Sequence, residues 1–265
     1  MLKNSKNVIT YDLFNKFNDI AHFCTTREGG VSVGNYASFN ISPFSGDEPE
    51  CYKQNLEILS KCINVEVDNI ILPYQTHGAE VRTVDKAFME MTADQKADYL
   101  NGVDALITNE HLICIGVTTA DCVPLTFYDP VKRIVAVAHA GWRGTCARIA
   151  TKTINVMTAT FGCRPADLHV AIGPSISGTV YNVGQELYAD FANEGFPCNE
   201  IFHKKHEELY LDLWKANEWL LLNEGILPTQ IEISGICTYT HYDRFFSARR
   251  LGIKSGRMLS GIYIK

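Results

Sequence analysis

The segment LICIGVTTADCVPLTFYDPVKRIVAVAHAGWRG, residues 112–144, decides the fold. Its apolar, β-branched runs are cut by polar or proline-bearing pairs, the pattern of strands joined by tight turns. Residues 112–119 read as one strand. Residues 123–128 and 133–138 read as a hairpin about Asp129-Pro130, where proline presets φ and the aspartate side chain can close the turn. Upstream, residues 21–26 and 105–108 read as strands, the second set off from residues 112–119 by a polar Asn109-Glu110 turn. Downstream the period changes. Cys146, Ala150, Ile154, Met157 and Phe161 recur at helical spacing, and the helix is expected to end at Gly162 with Pro165 beyond. Residues 168–172 read as a strand. Residues 184–193 and 213–223 read as helices closed by Gly195 and Gly225, and residues 231–236 and 258–264 as the last strands. Strands and helices intermix without regular βαβ alternation. The expectation is therefore α+β with mixed sheets rather than a doubly wound parallel sheet.

Composition bounds the rest. The 265 residues are 46% hydrophobic and 20% charged, which is ordinary for a globular chain and too apolar for a disordered one. No repeat, low-complexity tract or Pro/Gly/Ser-rich linker divides the sequence, so residues 1–265 are read as one domain. The net charge is -6 and basic residues are scattered, apart from Lys204-Lys205 and Arg249-Arg250. That offers no nucleic-acid footprint and does not suit an anionic membrane. The start, MLKNSKNVITYDLF, has no apolar signal region, and no apolar run is long enough to span a bilayer, so a cytoplasmic location is expected. Nine cysteines, odd in number and without a CxxC pair, do not form a disulfide framework, a zinc ribbon or a thioredoxin-like site. Cys114 and Cys146 read as small buried hydrophobes.

Three segments place metal-competent side chains inside apolar structure: Pro73-Tyr74-Gln75-Thr76-His77-Gly78, Thr118-Thr119-Ala120-Asp121-Cys122-Val123-Pro124, and Ala138-His139-Ala140-Gly141-Trp142-Arg143-Gly144. Taken singly, His77 is an ordinary loop histidine, Cys122 a buried strand cysteine and His139 a hydrogen-bonded strand end. Taken together, two histidines and a cysteine form a catalytic zinc set with a fourth position open. Cys122 could equally be a nucleophile activated by a histidine. Beside His139, the backbone from Gly141 to Gly144 and the Arg143 guanidinium read as an anion site at a helix start.

QTHG, TTADCVPL and HAGWRG, in this order, resemble the laccase-domain (YfiH-like) family. TTREGGVS (residues 25–32), Asn40, Gly46-Asp47 and Asn55 resemble its N-terminal pattern. VDALIT (103–108) and IGPSIS (172–177) resemble its middle. LDLW (211–214), Cys237-Thr238 and the stretch from FFSARR to GRM (245–258) resemble its end. The resemblance implies a four-layer α/β/β/α sandwich, similar to the catalytic domain of cytotoxic necrotizing factor, and one zinc held by His77, Cys122 and His139. Members of the family carry the names polyphenol oxidase, peptidoglycan-editing factor and purine nucleoside phosphorylase. The implied activities are phosphorolysis of adenosine, inosine, guanosine and methylthioadenosine, and hydrolytic deamination of adenosine. Two departures are visible: Phe44-Ser45-Gly46-Asp47 stands where the family commonly reads HVGD, and Val180-Tyr181 where it commonly reads Cys-Tyr.

With that implication, Cys122, Asp121 and Arg143 are the expected catalytic residues, Asp121 as a proton shuttle or as an orienting partner of a ligand. Arg27 joins Arg143 as a donor to phosphate, and Asn40 and Gln75 are expected to read the nucleoside. The expected partners are a small nucleoside and phosphate, with no nucleic acid or membrane, and the chain is expected to be a monomer or weak homodimer. Two other enzyme readings stand beside this one: a hydrolase that edits a peptidoglycan precursor through Cys122, and a copper-dependent polyphenol oxidase. The oxidase needs several histidine-rich sites, whereas none of the eight histidines forms an HxH pair. Copper could still occupy the same three ligands adventitiously. A non-enzymatic binding module ranks last.

Overall fold

The computed structural model of the protein describes residues 6–265; residues 1–5, which open both the N-terminal stretch and the 1–265 span read above, lie outside the described residues. Two sheets face each other. One has the strand order Val8–Ile9, Ile20–Thr25, Met258–Ile264, Cys114–Thr119, Ile70–Ile71. The other runs Ile231–Ile233, His169–Ile172, Val123–Asp129, Ile134–Ala140, Ala105–Thr108, Val81–Thr83. Their central pairings are antiparallel, while Ile70–Ile71, Val81–Thr83 and Ile231–Ile233 join the edges in parallel, so both sheets are mixed.

Side-chain alternation along the strands builds the layers. In Ile134–Ala140, Val135 and Val137 meet Ile115, Val117, Ile262 and Ile264 between the sheets. Ile134, Ala136, Ala138 and Ala140 turn the other way, onto Ile154 and Met157 of the helix Ile149–Phe161 and Leu220 and Leu221 of the helix Leu213–Asn223. On the outer face of the first sheet, Phe23, Leu259 and Tyr263 pack on Leu56, Leu59 and Ile63 of the helix Pro49–Ile63. Helix, sheet, sheet, helix is the resulting order, an α/β/β/α sandwich of the α+β class.

The hairpin forms as expected between Val123–Asp129 and Ile134–Ala140, and Asp129 Oδ1 accepts from the Val131 and Lys132 N–H groups at 2.8 and 2.9 Å. The helix expected from Cys146 onward is two helices, Trp142–Cys146 and Ile149–Phe161, parted by Arg148 in the left-handed conformation at φ 59°. Among the elements that escaped the sequence are the helices Pro49–Ile63 and Ala93–Leu100, the short edge strands Val8–Ile9, Ile70–Ile71 and Val81–Thr83, and a small sheet of Asn182–Val183, Glu208–Leu211 and Phe202–Lys205. Each of the nine cysteines is a free thiol. Among the described residues no helix is long and apolar enough to cross a membrane.

One consequence of this topology matters for function. Cys114–Thr119 belongs to one sheet and Val123–Asp129 to the other, so residues 120–122 carry the chain across the sandwich. The second candidate segment is that crossing.

Candidate metal centre

Three chain segments meet at one end of the sandwich, and a buried carboxylate ties two of them. Asp104 is fully buried just ahead of the strand Ala105–Thr108. Its Oδ1 accepts from the His77 N–H at 3.1 Å and contacts His139 Nδ1 at 2.7 Å, while its Oδ2 accepts from the N–H groups of Thr76 and Gly78 at 3.3 and 2.7 Å. One side chain thereby fixes both the His77 loop and the His139 ring. His77 itself sits at φ 62°, a left-handed conformation that a non-glycine residue adopts only where its surroundings hold it. Asp121, at φ 86°, is likewise strained in the crossing segment. Its Oδ1 accepts from the Thr238 hydroxyl and its Oδ2 from the Arg249 N–H, both at 2.7 Å, which sets the turn that presents Cys122.

The result is a tight group. One ligand atom from each of His77, Cys122 and His139 lies within 4.8 Å of the others, and the two imidazole rings stand nearly perpendicular with centroids 4.8 Å apart. His77 is exposed, Cys122 half-buried and His139 buried. With Nδ1 of His139 engaged by Asp104, its Nε2 is free to be a ligand, the arrangement by which a carboxylate orients a metal-binding histidine. Gly141 makes room: a Cβ there would lie 2.9 Å from Cys122 Sγ and 3.5 Å from His77 Cδ2. Burial pushes the Cys122 thiol up, but the charge of His139 and hydrogen bonds from both histidines outweigh it and lower the thiol pKa. The resulting thiolate is the form that binds metals and attacks electrophiles. In the same way, burial opposes the charge on His139, while Cys122 and Asp104 raise its pKa overall. A soft thiolate with two imidazoles, three ligands and an open side, suits zinc or copper.

The trio borders a cavity of about 650 Å³. Asp121, Trp142, Tyr181, Arg249 and Arg257 also line it, as do Phe44 and Ser45 at the departure from the family's HVGD. Gln75 reaches it too, although its amide is tied to the Thr118 backbone at 2.8 and 2.9 Å. The remaining expected residues are elsewhere. Arg143 stacks on the Trp142 ring at 4.3 Å and lines a neighbouring groove with Asp190 and Glu194. Arg27 is bound to the carbonyls of Ala37 and Tyr242 and packs over Phe246. Asn40 is buried, and its side chain contacts Ser42, Ser45, Asp47 and the Arg257 backbone. Sequence reasoning missed Asp104, Tyr181, Arg249 and Arg257. Asp104 stood in the quoted VDALIT, and both arginines stood in the stretch from FFSARR to GRM, where a charged residue beside an apolar run was the available signal.

Comparison with known proteins points the same way. The family model described as multi-copper polyphenol oxidoreductase laccase matches residues 21–265. A purine nucleoside phosphorylase of Bacteroides thetaiotaomicron is 43% identical over 265 residues, covering 99% of this chain and 98% of that protein. A protein named adenosine deaminase RL5, from an unknown prokaryotic organism, is 38% identical over 246 residues, covering 92% and 93%. Among solved structures, the hypothetical protein YfiH of Bacillus licheniformis superposes with a TM-score of 0.91 at 29% identity, covering 99% of this chain and 98% of that one.

Proposed function

We propose that the chain, which belongs to the multi-copper polyphenol oxidoreductase laccase family, is a zinc-dependent purine nucleoside phosphorylase that also deaminates adenosine. The observation that carries this reading is the convergence of His77, Cys122 and His139 on a cavity of nucleoside size, in a chain whose relatives are named for these two activities. Adenosine, inosine, guanosine and methylthioadenosine are the substrates, with residues 1–265 acting as one catalytic domain in the cytoplasm.

The three side chains would hold the metal, which when bound supplies Lewis acidity to a water or to the purine. The protein's own part is geometric. Asp104 holds the His77 loop and the His139 ring, and Asp121 holds the turn at Cys122. Trp142 and Ile176 give the cavity an apolar wall against which a purine ring can pack. In phosphorolysis an oxygen of phosphate forms a bond to C1′ of the ribose, and the bond from C1′ to the purine breaks with its electron pair leaving on the base, which takes up a proton. In deamination water adds at C6 of adenine and ammonia leaves. Turnover of adenosine and inosine, with and without phosphate, tests the reading. The zinc-loaded wild type should release purine only with phosphate and inosine without it, and Cys122→Ala should lower both rates at least a hundredfold. Unchanged rates in that variant would sink the assignment.

A second reading rests on the succession of Cys122, His139 and Asp104, with Cys122 beside the His139 ring and that ring bonded to Asp104, which is also the arrangement of a thiolate nucleophile, its base and the carboxylate that orients the base. Such a hydrolase, acting on a peptidoglycan precursor, keeps its activity after chelation and is inactivated by iodoacetamide. The zinc enzyme loses activity on chelation and is protected by its metal. A multicopper oxidase fits less well, because among the described residues the His77, Cys122 and His139 group is the one place where three such ligands gather.

A further inference from the structure

The cavity beside the trio is lined by two cations that form no ion pair among the described residues. Arg249 and Arg257 both line it, and among the described residues neither guanidinium has a carboxylate within 4.0 Å. Arg257 is half-buried at the start of the strand Met258–Ile264. Its Nη1 donates to the Ser255 and Gly256 carbonyls at 2.7 and 3.0 Å and to the Ser255 hydroxyl at 3.2 Å, and its Nη2 donates to the Ile253 carbonyl at 2.9 Å. These bonds fix the plane of the guanidinium and use the Nη1 side. Its Nε–H and the second Nη2–H have no acceptor among the described residues. Arg249 is exposed, with Nη1 donating to the Asn182 carbonyl at 3.0 Å and the guanidinium lying 5.1 Å over the Tyr181 ring, so it too is held in place with donors to spare.

A half-buried arginine normally meets a carboxylate, because an unpaired charge costs free energy where water is displaced. Arg257 is such a residue, and with the exposed Arg249 beside it, both pinned by backbone carbonyls and lining the same cavity, the pair is arranged for an anion that arrives with the substrate. The planar fork of an arginine matches phosphate oxygens bidentately. Asp121 lines the same cavity and its charge favours the cationic form of Arg257, but its two oxygens bond to Thr238 and to the Arg249 backbone and it forms no ion pair with either guanidinium. We propose that Arg249 and Arg257 form the binding site for the inorganic phosphate consumed in phosphorolysis, in the cavity that the metal ligands also line. The inference rests on the phosphorylase reading above, and it places the anion away from Arg143, whose guanidinium faces the adjoining groove.

The test titrates inorganic phosphate into the zinc-loaded protein while its melting temperature is followed, against sodium chloride at matched ionic strength. Wild type should show a saturable rise with phosphate that chloride does not reproduce. Arg249→Ala, whose guanidinium makes a single backbone bond, should need at least tenfold more phosphate for the same rise, because one charge-assisted contact is lost. Arg257→Lys keeps the charge and removes the fork, and should shift the response in the same direction. In steady state both variants should raise KM for phosphate by a larger factor than KM for inosine. A phosphate response equal to wild type in both variants, or none in wild type, overturns the site. Phosphate binding that the variants weaken, in a wild type that does not cleave nucleosides, keeps the anion site and overturns the phosphorylase reading instead.

Discussion

Asp104 divides its two oxygens among four partners on two of the segments that build the trio, and all of that lies in a fully buried position. Asp104→Asn keeps the shape but turns one acceptor into a donor. Either the N–H groups of the His77 loop or the His139 ring must then lose its partner. Zinc affinity, read by competition with a chromophoric chelator, should fall by roughly ten- to a hundredfold, as for other partners that orient metal-binding histidines. Stability should drop by about 1–3 kcal/mol, the cost of leaving a buried donor unpaired. Wild-type affinity in this variant would show that the histidines hold their places without it. The role was hard to read in the sequence because it depends on pairing. Val81–Thr83 adds in parallel to Ala105–Thr108, and only that register brings residues 76–78 to the carboxylate. His77, Cys122 and His139 were legible as a combination, being unlike their apolar surroundings. For Arg27 and Arg143 the sequence left the partner open, because a guanidinium satisfies itself on carbonyls or an aromatic face as readily as on an anion, and these two rest on carbonyls and on the Trp142 ring.

At the scale of elements, end signals were the most legible and interruptions the least. Gly162 closes the helix Ile149–Phe161 in the left-handed conformation at φ 66°, as a glycine after a helix commonly does. Gly162→Ala tests this. The nearest atom to an added Cβ is Lys132 Nζ at 3.7 Å, an ordinary contact, so the cost is in the backbone alone. Urea unfolding should show a loss of about 1 kcal/mol with the catalytic rates unchanged. Equal stability would mean the helix end relaxes freely. The break at Arg148 left no such mark. Cys146 and Ala150 keep one apolar period across it, and the left-handed Arg148 is held by packing over Phe196 and Trp219, which are distant in sequence. The helix Pro49–Ile63 did carry its signal, with Tyr52, Leu56, Leu59 and Ile63 on one face and proline at its first position. The edges of the strands that were expected lie within two residues of the observed ones, except that the strand expected over 231–236 ends at Ile233, whereas the sheet each strand joins was not legible. Val123–Asp129 and Ile134–Ala140 are buried on both faces, so no polar alternation distinguishes a side.

The molecule as a whole depends on the layer between its sheets, and that layer contains a histidine. His22, on Ile20–Thr25, is 5% exposed, stacks on Tyr11 with centroids 5.7 Å apart and accepts the Tyr11 N–H through Nε2 at 2.9 Å. Burial, opposed in part by the Tyr11 carbonyl and assisted by the charge of Lys265, lowers its pKa from 6.5 to about 4. Between those values the unfolded chain takes up a proton that the folded one refuses, so the unfolded state binds more protons and stability falls with falling pH. The contribution is fully present above pH 6.5, declines from there toward pH 4, and is gone below. A span of that size corresponds to about 3 kcal/mol. His22→Gln retains an acceptor for the Tyr11 N–H and cannot titrate. Urea unfolding of both proteins at a series of pH values should therefore give a difference that is constant above pH 6.5 and shifts by about 3 kcal/mol in the variant's favour by pH 4. The difference is the informative quantity, because ionisations that the two proteins share cancel in it. A pH-independent difference would mean that the sheets part, or water enters, before the imidazole is forced to take its proton, and the sandwich would then be less tightly closed around His22 than its burial indicates.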